Sequence, residues 1–162
     1  MKKRIYPILS GLVYFALIVF FSCLCLQSGE ASAESSKTVG NLIADTGEKI
    51  FHVSIERTPD FFRLTRKVVG HFGYFLVLGV SSWLFYRALW RKRFLLGVGV
   101  HYGTGFFFAF VSEFVFQRIS SGRFPSFVDV LIDFAGFVLL STLIIAIEWG
   151  KRRKRHDQPV AD

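Results

Sequence analysis

Residues 127–155 read FVDVLIDFAGFVLLSTLIIAIEWGKRRKR. The part ending at Trp149 supplies the ~20 predominantly apolar residues that a helix needs to cross a bilayer. Lipid offers no partner to a backbone N–H or C=O, so such a run folds as a helix. It stops against Lys151, Arg152, Arg153, Lys154 and Arg155, and its opening turns carry Asp129, Asp133 and Gly136 on one stripe. One end of this helix is acidic and the other basic.

Three further runs, 5–26, 68–86 and 94–116, are long enough to do the same. The chain has 162 residues, 52% of them hydrophobic, with twenty Phe and a mean hydropathy of +0.43. A soluble domain uses roughly 45–50% apolar residues even with Gly counted, so an ordinary soluble enzyme and a disordered chain are both excluded. Cys23 and Cys25 stand two apart inside the first run and build no disulfide framework. The expected fold is an all-α integral membrane bundle of four transmembrane helices, occupying 1–150, followed by a basic tail, 151–162.

The net charge of +8 resembles a nucleic-acid signal until its location is considered. Twelve of the twenty Lys and Arg lie in three flanks: Lys2, Lys3 and Arg4; Arg87, Arg91, Lys92 and Arg93; and the five bases after Trp149. The positive-inside rule puts all three flanks, and so both termini, in the cytoplasm, with the segment 27–67 facing outward. A basic tail directly after a span serves anionic-lipid contact and topology, so the partner expected is the lipid bilayer and not nucleic acid. Phe106, Phe107 and Phe108 read as packing or lipid contact, and Gly97, Gly99, Gly103 and Gly105 as sites of close helix approach.

The first run has a second reading. Lys2–Arg4, an apolar core and Ala31-Ser32-Ala33 resemble a secretory signal peptide, but the core exceeds the ~7–15 residues usual there, which favours a retained helix. In the outward segment, 27–37 is rich in Ser, Ala and Glu and reads as a flexible linker. Beyond it Leu42, Ile43, Ile50 and Phe51 fall on one helical face, against which Gly40 and Gly47 count. A surface-lying amphipathic helix and a loop capping the bundle both fit. Pro59 closes this piece, and the second membrane helix begins outside the lipid.

Polar residues in the spans are the informative feature. Lys67, His71 and Tyr74 are spaced by four and three and share a face; Glu113 and Gln117 are four apart; Arg118 and Arg123 follow, then Asp129 and Asp133. The topology brings His71, Glu113, Gln117, Asp129 and Asp133 to one extracytoplasmic depth, with Lys67 and Arg123 above them. Carboxylates at that depth cost a few kcal/mol each unless paired or watered, so they face one another. By contrast Glu148 sits among bases as an interfacial ion pair, and His101 reads as a helix-packing hydrogen bond. The set fits a hydrogen-bonded clasp, a site for a phosphate or carboxylate at headgroup depth, or an acid/base or divalent-metal site. Spacing does not choose among them, and it assigns no metal. No P-loop, dinucleotide turn, zinc spacing or nucleophile elbow is present in the sequence, so no cofactor is named.

Arg66-Lys67, His71-Phe72, Tyr74 and Leu78-Gly79 resemble the opening signature of VanZ-like membrane proteins. Glu113, Gln117, Gly122-Arg123, Asp129, Asp133 and Gly136 resemble its second signature, and the likeness runs from the first span to about Glu148. There are departures: Phe114 stands beside Glu113 where the family often has an acidic pair, His71 follows Lys67 by four residues where three is usual, and Asp133 replaces a frequent Asn. The resemblance implies a four-helix bacterial inner-membrane domain associated with resistance to the glycopeptide teicoplanin. The polar cluster and the resemblance together point to an outward site, formed by Lys67, His71, Tyr74, Glu113, Gln117, Arg123, Asp129 and Asp133, for an anionic lipid or a lipid-linked cell-wall precursor. There Lys67 and Arg123 would pair with the anion, Asp129 and Asp133 would position them, and Gln117 would hydrogen-bond the ligand. Alternatives are a structural or assembly subunit and a membrane-embedded hydrolase or transferase.

Overall fold

The computed structural model describes residues 2–156; the last part of the basic tail, 157–162, lies outside the described residues. Five helices follow one another: α1 (Lys2–Cys25), α2 (Gly29–Phe51), α3 (Pro59–Leu89), α4 (Phe94–Ile119) and α5 (Phe127–His156). Four of them, α1, α3, α4 and α5, are long and apolar enough to cross a membrane. No strand occurs among the described residues. The expected all-α four-helix bundle is what the chain forms.

Helix α3 is the centre of the bundle, packing on α5, α1 and α4, while α4 also packs on α5. The core is aromatic: Phe75, Trp83 and Phe137 are fully buried, and Phe21 stacks on Tyr74 and meets Phe75 edge-on. Two glycines set the spacing of α3 and α5. A Cβ on Gly79 would overlap the Phe137 carbonyl, and one on Gly136 would overlap that of Phe72. Small residues let membrane helices approach this closely. Of the four glycines of α4, Gly105 packs under the Phe137 ring and Gly97 lies against Trp90, whereas Gly99 and Gly103 meet nothing and do not act as contact points. Outward faces carry large apolar side chains such as Ile8, Leu12, Leu95, Phe107 and Leu139.

At the basic end Arg87 pairs with Glu148, as expected. His101 is fully buried, its Nδ1 3.0 Å from Ser82 Oγ and its ring stacked on Phe137, which is the packing role its position suggested.

The segment between the first two spans departs from expectation. Residues 27–37 are not a linker: α2 begins at Gly29, capped by Ser28 Oγ accepting from the Ala31 N–H. Serine marks linkers because its hydroxyl competes for backbone groups, but here Ser35, Ser36 and Thr38 donate to carbonyls four residues back and the helix continues. Gly40 does not interrupt it either, because the missing side chain is filled by Phe62 and Phe61 of α3. Leu42, Ile43, Ile50 and Phe51 stay exposed. After α2, Arg57 reaches back to Asp45 and Glu48, and Glu48 Oε1 also accepts the Ile55 N–H at 2.9 Å. These bonds hold the Glu48 carboxyl below its usual pKa, the Ile55 N–H contributing most.

Candidate functional site

Two of the membrane helices contain a π-helical stretch, Arg66–Gly73 in α3 and Ser112–Phe116 in α4. Short π segments are rare and recur at functional sites. Here they carry Lys67 and His71, and Ser112 and Glu113. Within the wider turn Lys67 and His71, four residues apart, both meet α5.

They meet it as two rungs. Lys67 Nζ lies 2.7 Å from Asp129 Oδ1, and one turn further His71 Nδ1 lies 3.0 Å from Asp133 Oδ1. Both pairs join residues four apart on helices running in the same direction, which the Gly136–Phe72 contact holds together. Glu113 enters from α4, with its Oε1 3.6 Å from His71 Nδ1. Gln117 donates from its amide to Glu113, and the Ser126 N–H donates to the other oxygen at 3.3 Å. Ser126 Oγ in turn accepts the Asp129 N–H at the start of α5. In the usual capping box the residue at the Asp129 position would reach back to that Ser126 N–H. Glu113 does so instead, and Asp129 is left to Lys67.

The structure therefore brings together Lys67, His71, Glu113, Gln117, Asp129 and Asp133. Glu113 and Asp133 have no exposed surface. Tyr74 does not join them. The π stretch turns it away, and its hydroxyl donates to the Leu17 carbonyl of α1. Arg123 is nearby but holds no carboxylate: it donates to the Cys25 carbonyl at 2.9 Å and to Ser32 Oγ at 3.1 Å. Ser120 Oγ donates to the same Cys25 carbonyl at 2.8 Å, and the Gly29 N–H to the Ser121 carbonyl at 2.9 Å. The α4–α5 link is thus bolted to the corner between α1 and α2. Burial, and to a smaller extent the neighbouring Arg66 guanidinium, pushes the Arg123 pKa down.

A cavity of about 270 Å³ opens between this corner and the π stretch of α3. Its lining includes the polar residues Arg66, Arg123, His71, Ser32, Ser35 and Ser36 and the apolar residues Phe21, Leu24, Val39 and Val69. Arg66 Nε is buried without a hydrogen-bond partner, and among the described residues neither Arg66 nor Arg123 has a carboxylate partner. Sequence reasoning passed over Arg66 in favour of Lys67. The available signal was their adjacency: successive residues on a helix cannot face the same way, so only one of the two can meet Asp129. The cavity-lining serines were concealed by the linker-like composition of 27–37.

The chain matches no protein-family model, no curated protein and no solved structure.

Proposed function

We propose that the cavity between α1, α2 and α3 binds the phosphate of an amphiphile of the bacterial envelope, a lipid or a lipid-linked cell-wall precursor. What carries this is the pair of arginines, Arg66 and Arg123, without carboxylate partners among the described residues and lining a cavity that apolar side chains also line. Guanidinium groups recognise phosphate through charge-assisted hydrogen bonds in a planar fork, and the wall of Phe21, Leu24, Val39 and Val69 suits the first carbons of an acyl or isoprenoid chain. Lys67, assigned to the anion from the sequence, is held by Asp129; Arg66 takes its place. Gln117 orients Glu113 and is not among the residues lining this cavity. The arrangement of bases favours an orientation with this cavity outward and both termini in the cytoplasm, in the bacterial inner membrane.

The VanZ-like signatures extend the proposal to glycopeptide susceptibility, through altered handling of a surface precursor. The test is teicoplanin susceptibility with Arg66→Ala at matched membrane abundance. Susceptibility equal to the parent strain's sinks the glycopeptide role, and labelling of a Phe124→Cys variant from the cytoplasmic side sinks the orientation. A second reading, a clasp that only locks the bundle, is favoured by the Lys67–Asp129 and His71–Asp133 rungs. It predicts that Arg66→Ala, outside those rungs, changes nothing.

A further inference from the structure

His71, Glu113 and Asp129 come from three separate helices, and each brings one ligand atom within 4.8 Å of the other two. Two ligands each ~2.1 Å from a shared ion, at tetrahedral or octahedral angles, stand roughly 3.0–3.4 Å apart. His71 Nδ1 and Glu113 Oε1 are already 3.6 Å apart.

Charge points the same way. Glu113, Asp129 and Asp133 share one buried neighbourhood, and among the described residues Lys67 and the His71 imidazole are the bases bonded or ion-paired to them. With the imidazole neutral, as a metal ligand must be, three carboxylates face one ammonium, a negative excess that is costly away from water unless a proton or a cation offsets it. Asp133 adds a separate observation. It is fully buried, one oxygen holds the His71 ring, and its Oδ2 has no hydrogen-bond partner. The His71–Asp133 bond ends on Nδ1, the nitrogen that stands 3.6 Å from Glu113, so an ion bound there would displace its proton; Gln117 and the Ser126 N–H hold Glu113 from outside, as outer-shell partners do at metal sites. The cavity reaches His71, so an ion has a route in.

We propose that His71, Glu113 and Asp129 bind one divalent first-row cation, of the Mn²⁺ or Zn²⁺ class that imidazole and carboxylate ligands suit. The ion sits at the inner wall of the Arg66–Arg123 cavity, and its binding does not depend on the amphiphile.

The experiment uses full-length protein in nanodiscs, stripped with EDTA and dialysed against Mn²⁺ or Zn²⁺, with metal content read by elemental mass spectrometry and affinity by calorimetry. The expected result is one ion per chain in the wild type and in Arg66→Ala, with affinity reduced about tenfold or more in Glu113→Gln and Asp129→Asn. Where a variant fails to fold, the wild type decides alone: the metal raises its thermal midpoint and EDTA reverses the rise. Wild-type protein that takes up no stoichiometric metal and shows no such rise, or folded variants that bind as tightly as the wild type, overturn the proposal. An Arg66→Ala protein that keeps its metal but loses co-purifying lipid separates this site from the amphiphile site.

Discussion

Replacing Lys67 by Met removes the one ammonium from a neighbourhood of three carboxylates. At 2.7 Å from Asp129, an effective dielectric of about 20 gives roughly 6 kcal/mol of gross attraction, most of it offset by desolvation. Breaking a fully buried pair costs about 3–5 kcal/mol; the Lys67 side chain is 32% exposed, which discounts that to about 2–3 kcal/mol. Asp129→Asn is the milder change. It leaves a lysine whose long stem can carry its charge to water, and it lowers the negative excess that Glu113 and Asp133 share, so the loss is about 1 kcal/mol. The double variant is then more stable than Lys67→Met alone, with a coupling of about 1–2 kcal/mol. The assay is thermal unfolding in nanodiscs after chelator treatment, for the wild type, both single variants and the double. Strict additivity, or Asp129→Asn as the more damaging change, would refute the assignment of a negative excess to this cluster.

Tyr74→Phe loses the hydroxyl bond to the Leu17 carbonyl and lowers stability by about 1 kcal/mol, with lipid and metal binding unchanged; thermal unfolding beside lipid analysis checks both halves. Gly136→Ala sets a methyl against the Phe72 backbone carbonyl, which cannot rotate aside, and costs about 3 kcal/mol, the upper part of the overpacking range; membrane abundance and unfolding temperature fall together. At the end of α2 the Glu48 carboxyl is held below its ordinary pKa by the Ile55 N–H and Arg57. A depressed folded-state pKa means those bonds are intact above the ordinary glutamate range and are lost as pH falls through the folded value. The amide shift of Ile55, followed by NMR, titrates below the ordinary glutamate range, and its midpoint moves back up in Arg57→Ala.

The four spans were legible because length and hydropathy are sufficient for a membrane helix. The depth of the polar groups followed from the same runs, which is why Lys67, His71, Glu113, Gln117, Asp129 and Asp133 converge where they do. What was not legible depends on tertiary contacts. The π stretch at Arg66–Gly73 changes the angular step between residues, so a face drawn at α-helical spacing included Tyr74 and left out Arg66. The helix at 29–51 was hidden by its serines and Gly40, whose reasons for tolerating a helix, a hydroxyl bonded to the preceding turn and an aromatic filling the gap, lie in the folded chain. Arg123 pairs with backbone carbonyls at the α1–α2 corner, and backbone acceptors leave no mark in a sequence.

Native mass spectrometry of the full-length protein, released from nanodiscs holding equal amounts of phosphatidylglycerol and phosphatidylcholine, tests the amphiphile site most directly. The account predicts retained phosphatidylglycerol on the wild type, with one bound molecule fewer in Arg66→Ala and no change in Tyr74→Phe. An unchanged count of bound lipid in Arg66→Ala would contradict it.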